Sequence, residues 1–207
     1  MLQLLFVRHA RTTWNAEGRV QGGGPLDALG RAQATALAER LQNEPIDGIY
    51  ASDTLRARQT AMLVARVHGL KVRQRRLLRD LDYGALAGAF LSDFRRERPG
   101  LVEQWRDHPE TVHFKDGECL ADLRGRISQF IKKLYAQHPT GLVIAFTHDS
   151  PVRVAASLAL GLDDSQHNRP DLVTENASLS TFEINGDSIA LRAHNDTDHL
   201  RHISNDS

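Results

Sequence analysis

Cysteine is nearly missing from the 207-residue sequence: Cys119 stands alone, which excludes an intrachain disulfide and any zinc site built on cysteines. Charge of one sign is missing too. Lys plus Arg and Asp plus Glu are 26 each, so the formal net charge is zero and no basic excess exists to release counterions from a nucleic acid. No apolar run approaches membrane-spanning length; the longest candidate, Leu142–Phe146, is the size of one strand. The amino terminus lacks the basic start and small-residue cleavage site of a secretory signal, so the expected location is the cytoplasm. What remains is an ordinary folding mixture, 41% hydrophobic and 25% charged, too apolar for a disordered chain and long enough for one domain over residues 1–207.

Leu2–Val7 is apolar except for Gln3 and predicts a buried strand. Leu26–Leu41 has helical spacing and stops before Asn43 and Pro45. Ile46–Ala51 predicts a second strand, followed by a helix capped by Asp53 or Thr54 and closed near Gly69. Val72 opens a brief third strand. Residues 83–117, rich in turn signals, predict a small helical cap insertion. Leu120–His138 is amphipathic, Leu142–Thr147 is a buried strand, and Pro151–Leu160 is a helix with proline in its first turn. Leu179–Ile184 and Ser188–Ala193 form a hairpin through Asn185-Gly186, and the polar tail after His194 is expected to be loosely held. The alternation predicts an α/β fold: a three-layer α/β/α sandwich whose mostly parallel central sheet ends in an antiparallel edge. The site of such a sheet lies beyond the carboxyl ends of its strands. No P-loop is present, and Gly22-Gly23-Gly24 lacks the spacing of a dinucleotide fingerprint.

Arg8-His9, Arg56, Asp80 and Thr147-His148 all fall at strand ends or helix starts. Guanidinium forks suit phosphate oxygens and stay charged. Their charge favours neutral imidazole, which is a nucleophile toward phosphorus. A carboxylic acid nearby can protonate the departing alkoxide.

The string Val7-Arg8-His9-Ala10-Arg11-Thr12-Thr13-Trp14-Asn15 resembles the signature of the histidine phosphatase superfamily, in its phosphoglycerate mutase-like branch. The resemblance continues through Arg19–Gly22, Gly30–Ala34, Ser52–Ala61, Leu78–Gly84, Gly117-Glu118 and Thr147-His148 with Arg153. It implies that His9 is the phosphorylated nucleophile, and that Arg8, Arg56 and His148 cradle the transferred group. It also implies that Asn15, Gln21 and Gly22 touch phosphate or substrate, and that the chemistry needs neither metal nor organic cofactor. Asp80 stands where this branch usually has a glutamate proton donor. Asp149 is set beside the substrate as a rival acid, because the acid-phosphatase branch uses a His-Asp pair. Ala10 replaces the usual glycine after the nucleophile, and Ala87 replaces a common second acid.

The implied function is hydrolysis of a small phosphorylated metabolite, with no nucleic-acid or membrane partner. The alternatives are a bisphosphoglycerate-dependent phosphoglycerate mutase and a silent relative that only binds phosphorylated ligands. Mutases of the family are usually longer, with segments that exclude water. The oligomeric state is not legible. His194, His199 and His202 have a loosely metal-like spacing without a scaffold to support it, and no metal site is expected there. Glu118 reads equally well as structural or functional. Trp14, Trp105, Phe90 and Phe94 are available to line the substrate mouth or to pack.

Overall fold

The computed structural model describes residues 1–21 and 23–203. Six strands, β1 (Leu2–Arg8), β2 (Ile46–Ala51), β3 (Val72–Gln74), β4 (Gly141–Thr147), β5 (Leu179–Asn185) and β6 (Ser188–Asp196), form one sheet in the order β3-β2-β4-β1-β5-β6. The first four are parallel, and β5 and β6 add an antiparallel hairpin at one edge. Strand alternation divides the apolar residues between two cores. Leu4, Phe6, Val143 and Ala145 face one, and Leu5, Val7, Ile144 and Phe146 face the other. Central strands covered on both sides must be largely apolar, which is why β4 reads as an apolar run and β1 as one broken only by the exposed Gln3 near its start.

The helices in chain order are α1 (Thr13–Ala16), α2 (Ala28–Leu41), α3 (Leu55–His68), α4 (Leu91–Glu97), α5 (Pro99–Asp107), α6 (Leu120–Gln137) and α7 (Asp149–Leu160). Leu37, Leu41, Ala61 and Val64 bring α2 and α3 onto the second core. Leu123, Ile127, Phe130 and Val154 bring α6 and α7 onto the first. Helix α2 starts two residues later than its pattern suggests, because Asp27 accepts a bond from the Gly30 N–H at 2.7 Å and caps it. Gly69, at φ +63°, ends α3 in the left-handed conformation that glycine adopts without strain.

The expected cap contains α4 and α5, neither with a fully buried residue. Its root is aromatic: Trp105 packs 5.2 Å from Phe114 and 6.2 Å from Tyr83, between ring centroids. Trp105 therefore packs. The tail departs from expectation through residue 203. β6 extends to Asp196, and Leu200 packs on the small cluster of Ala10, Leu26, Ala34 and Ala177. One leucine with a complementary apolar seat suffices to hold a segment whose composition is otherwise polar. His194 in that segment is bonded to Ser180 at 3.1 Å and to the Leu172 carbonyl at 3.1 Å. No helix among the described residues is long and apolar enough to cross a membrane.

Candidate active site

Parallel pairing of β1 with β4 sets Arg8 opposite Thr147, so His9 and His148 leave adjacent strands side by side. The His9 N–H donates to the Thr147 carbonyl at 2.9 Å, and the two imidazole centroids stand 5.1 Å apart at 65°. Arg56 projects from the first turn of α3, which begins where β2 ends beside β4, and its Nε donates to His9 Nε2 at 3.1 Å. Arg8, Arg56, His9 and His148 thus meet beyond the carboxyl ends of the strands.

The bonds of His9 fix its tautomer. Nδ1 lies 2.9 Å from the Ala10 carbonyl, an acceptor only, so Nδ1 carries the hydrogen. Nε2 then keeps its lone pair and accepts from Arg56. Burial, then the charges of Arg56 and Arg8, hold the His9 pKa well below 6.5, so the ring is neutral. His148 is fully buried and its pKa is lowered by the same burial and by Arg56 and His9. Its Nδ1, like Arg8 Nε, is buried with no hydrogen-bond partner among the described residues. Unpaired buried polar atoms are costly unless a ligand satisfies them, and these two belong to the same cluster.

The two candidate acids differ sharply. Asp80 lies 3.9 Å from Arg56, and burial raises its pKa despite the opposing Arg56 charge. Asp149 is half-buried, and Arg153 at 2.7 Å and Arg8 at 3.9 Å outweigh its desolvation and lower its pKa. Oδ1, the oxygen facing Arg8, also accepts from the Thr174 N–H at 3.1 Å and hydroxyl at 2.8 Å, while Arg153 holds Oδ2. Asp149 is held as a carboxylate that orients Arg8, whose Nη1 also reaches the Thr174 carbonyl.

The first loop is placed nearby. Gln21, at φ +53°, donates its amide to the Leu81 carbonyl at 2.9 Å and lines the cavity. Asn15 instead spends its carbonyl oxygen on Thr12, at 3.1 Å to the N–H and 2.9 Å to the hydroxyl, capping α1. Gly22 lies outside the described residues. Gly23 packs so closely on Trp14 that a Cβ there would stand 2.7 Å from the indole, which gives Trp14 a packing role. Phe90 stacks under Arg19, 4.0 Å from its guanidinium carbon. Ala10 is not among the residues with positive φ, so its Cβ is tolerated after the nucleophile.

A cavity of about 440 Å³ opens over Asp80, lined by Gln21, Arg56, Arg79, Asp82, Asp116 and Arg126. Arg79 is held there by Asp53 through two bonds of 2.7 Å. Several neighbours of the site had no signal in the sequence. Asn176 donates to the His9 carbonyl at 2.9 Å, and the Ala177 N–H bonds the carbonyls of Arg8 and His9. Thr54 Oγ1 lies 3.4 Å from His148 Nε2. Only the Thr54 position, at the start of α3 beside Arg56, could have suggested it.

Fold and site together define an α/β layered protein with paired histidines and arginines gathered at its strand ends. The model of the histidine phosphatase superfamily, branch 1, matches residues 4–197, and the chain belongs to that family. Phosphoserine phosphatase 1 of Hydrogenobacter thermophilus is 32% identical over 168 residues, 80% of each chain. A probable phosphoglycerate mutase GpmB of Yersinia enterocolitica is 32% identical over 88% of this chain and 85% of its own. A mycobacterial glucosyl-3-phosphoglycerate phosphatase solved with VO3 superposes with a TM-score of 0.86, at 27% identity, covering 94% of this chain and 99% of that one.

Proposed function

We propose that the protein is a cytoplasmic phosphatase that hydrolyses a small phosphomonoester through a phosphohistidine on His9. The observation that carries the reading is the fixed tautomer of His9, whose unprotonated Nε2 is directed at the Arg56 guanidinium. In the first step Nε2 attacks phosphorus as the bond to the leaving oxygen breaks. Arg8 and Arg56 neutralise the charge spread over the equatorial oxygens, and His148, a neutral ring, donates a hydrogen bond to them. Asp80, whose pKa burial raises toward the protonated form, gives its proton to the departing alkoxide. The resulting Asp80 carboxylate then accepts a proton from water as that water attacks the phosphoryl group. The P–N bond breaks and inorganic phosphate leaves.

Hydrolysis is favoured over mutase chemistry because the cavity lined by Arg56 and by the candidate acid Asp80 opens to solvent. Arg76 on its lining has a side chain 82% exposed. A phosphohistidine that water can reach is hydrolysed. The relatives include enzymes named for both outcomes, so the test uses both substrates. With 3-phosphoglycerate and trace bisphosphoglycerate, and with a panel of phosphorylated metabolites including phosphoserine, free phosphate is expected to accumulate. Accumulation of 2-phosphoglycerate without phosphate would establish the mutase. His9→Ala is expected to abolish turnover of an aryl phosphate and trapping of labelled phosphoenzyme. An unlabelled, inactive parent would leave only ligand binding.

A further inference from the structure

Asp80 lies on a stretch without regular strand or helix, between single turns at Arg76–Leu78 and Gly84–Leu86. A general acid must nevertheless be held within hydrogen-bond reach of the leaving oxygen, and misplacement by 1 Å can cost about 10²-fold. What fixes this stretch comes from α6.

Arg126 reaches across from that helix, and its guanidinium uses all the donors it has. Nε donates to Glu118 Oε1 at 2.8 Å and Nη2 to Glu118 Oε2 at 2.8 Å, a bidentate fork. The second Nη2 hydrogen goes to the Asp80 carbonyl at 2.6 Å. Nη1 serves the Leu77 carbonyl at 3.0 Å and the Arg79 carbonyl. Glu118 completes the frame on the other side of Asp80: its Oε2 accepts from the Asp82 N–H at 3.0 Å, and its own N–H donates to the Asp82 carbonyl at 2.8 Å. Gly117 makes that approach possible, since a Cβ there would stand 2.3 Å from the Asp82 carbonyl oxygen. The backbone is pinned at Leu77, Arg79, Asp80 and Asp82, with the carboxyl group of Asp80 left to face Arg56 at 3.9 Å.

We propose that Glu118 and Arg126 are positioning residues that hold Asp80 for proton donation to the leaving group. The proposal rests on the assignment of Asp80 as the acid. The pairing also explains why an arginine can stand beside a carboxyl that must stay protonated: the Glu118 carboxylate neutralises the guanidinium that grips its backbone. Lysine could supply the charge at position 126 but not the planar fork or the simultaneous bonds to several carbonyls.

The test compares kcat/KM for an alkyl phosphate, whose leaving alkoxide needs a proton, with that for p-nitrophenyl phosphate, whose phenolate does not. The ratio of the two is measured in the parent, Arg126→Lys, Glu118→Gln and Asp80→Asn. In both frame variants the alkyl-to-aryl ratio is expected to fall by about 10²-fold, in the same direction as in Asp80→Asn. If Asp80→Asn lowers the ratio while the frame variants depress both substrates equally, Glu118 and Arg126 only support the fold and the proposal fails. If Asp80→Asn leaves the ratio unchanged, the assignment of the acid fails first, and the proposal with it. Glu118→Gln preserves size and leaves the Arg126 bonds to carbonyls in place. It therefore decides the matter if Arg126→Lys does not fold.

Discussion

Acidification through the histidine range should cost this protein several kcal/mol of stability. His9, His148 and His167 are all at most 3% exposed, and burial is the first cause lowering each pKa, in His167 to about 3. In the unfolded chain each titrates near 6.5. A group whose folded pKa is depressed stabilises the protein fully above the unfolded value and loses that contribution as pH falls below it, because only the unfolded chain then takes up the proton. Between about pH 7.5 and about pH 5.5 each such histidine withdraws about 1.4 kcal/mol, and the three together about 4 kcal/mol. That is a large share of a typical stability of about 5–15 kcal/mol. Asp80 works in the opposite sense. Its folded pKa is raised, so its contribution is lost as pH rises through that value and regained on acidification. Asp149, with a depressed pKa, loses stabilisation only as pH falls below 3.8, outside this window. The assay is urea denaturation across this pH range in phosphate-free buffer, since an anion bound at Arg8 and Arg56 would add its own linkage. It is run on the parent and on Asp80→Asn, which removes the opposing carboxyl. A loss below about 1.4 kcal/mol in Asp80→Asn, the worth of one histidine, would refute the claim that these rings are buried neutral.

Two further outcomes follow from close packing near the nucleophile. Gly30→Ala places a Cβ 1.9 Å from the Arg11 carbonyl oxygen, backbone against backbone, and should destabilise by about 1–3 kcal/mol. A differential scanning measurement showing an unchanged or raised Tm would contradict this. Ala10→Gly should also destabilise, by about 1 kcal/mol, because Ala10 is fully buried, needs no positive φ, and glycine only adds freedom to the unfolded chain. A more stable Ala10→Gly protein would show that alanine is strained there.

The sheet was legible in the sequence because its central strands are covered on both faces. Leu4–Val7 and Leu142–Phe146 had to be apolar runs, and helices between them had to carry one apolar stripe each. The four cluster residues Arg8, His9, Arg56 and His148 were legible for a related reason. Each sits at a boundary where a buried element ends, so a charged or titratable side chain there is conspicuous. Position along the chain did not separate Asp80 from Asp149. Both are half-buried acids near arginines, and what divides them is the count of partners. Arg153, Arg8 and Thr174 surround Asp149, whereas one arginine at 3.9 Å faces Asp80. Those partners come from residues 8, 56, 153 and 174, brought together only by folding. The same holds for the frame of Glu118 and Arg126, whose acceptors are backbone carbonyls, groups every residue carries and no sequence pattern marks. Local hydrophobic periodicity therefore determined the elements and the ends at which chemistry could stand. Hydrogen-bond partners and burial, which depend on contacts distant in sequence, decided which imidazole nitrogen carries no hydrogen and which carboxyl has its pKa raised rather than lowered.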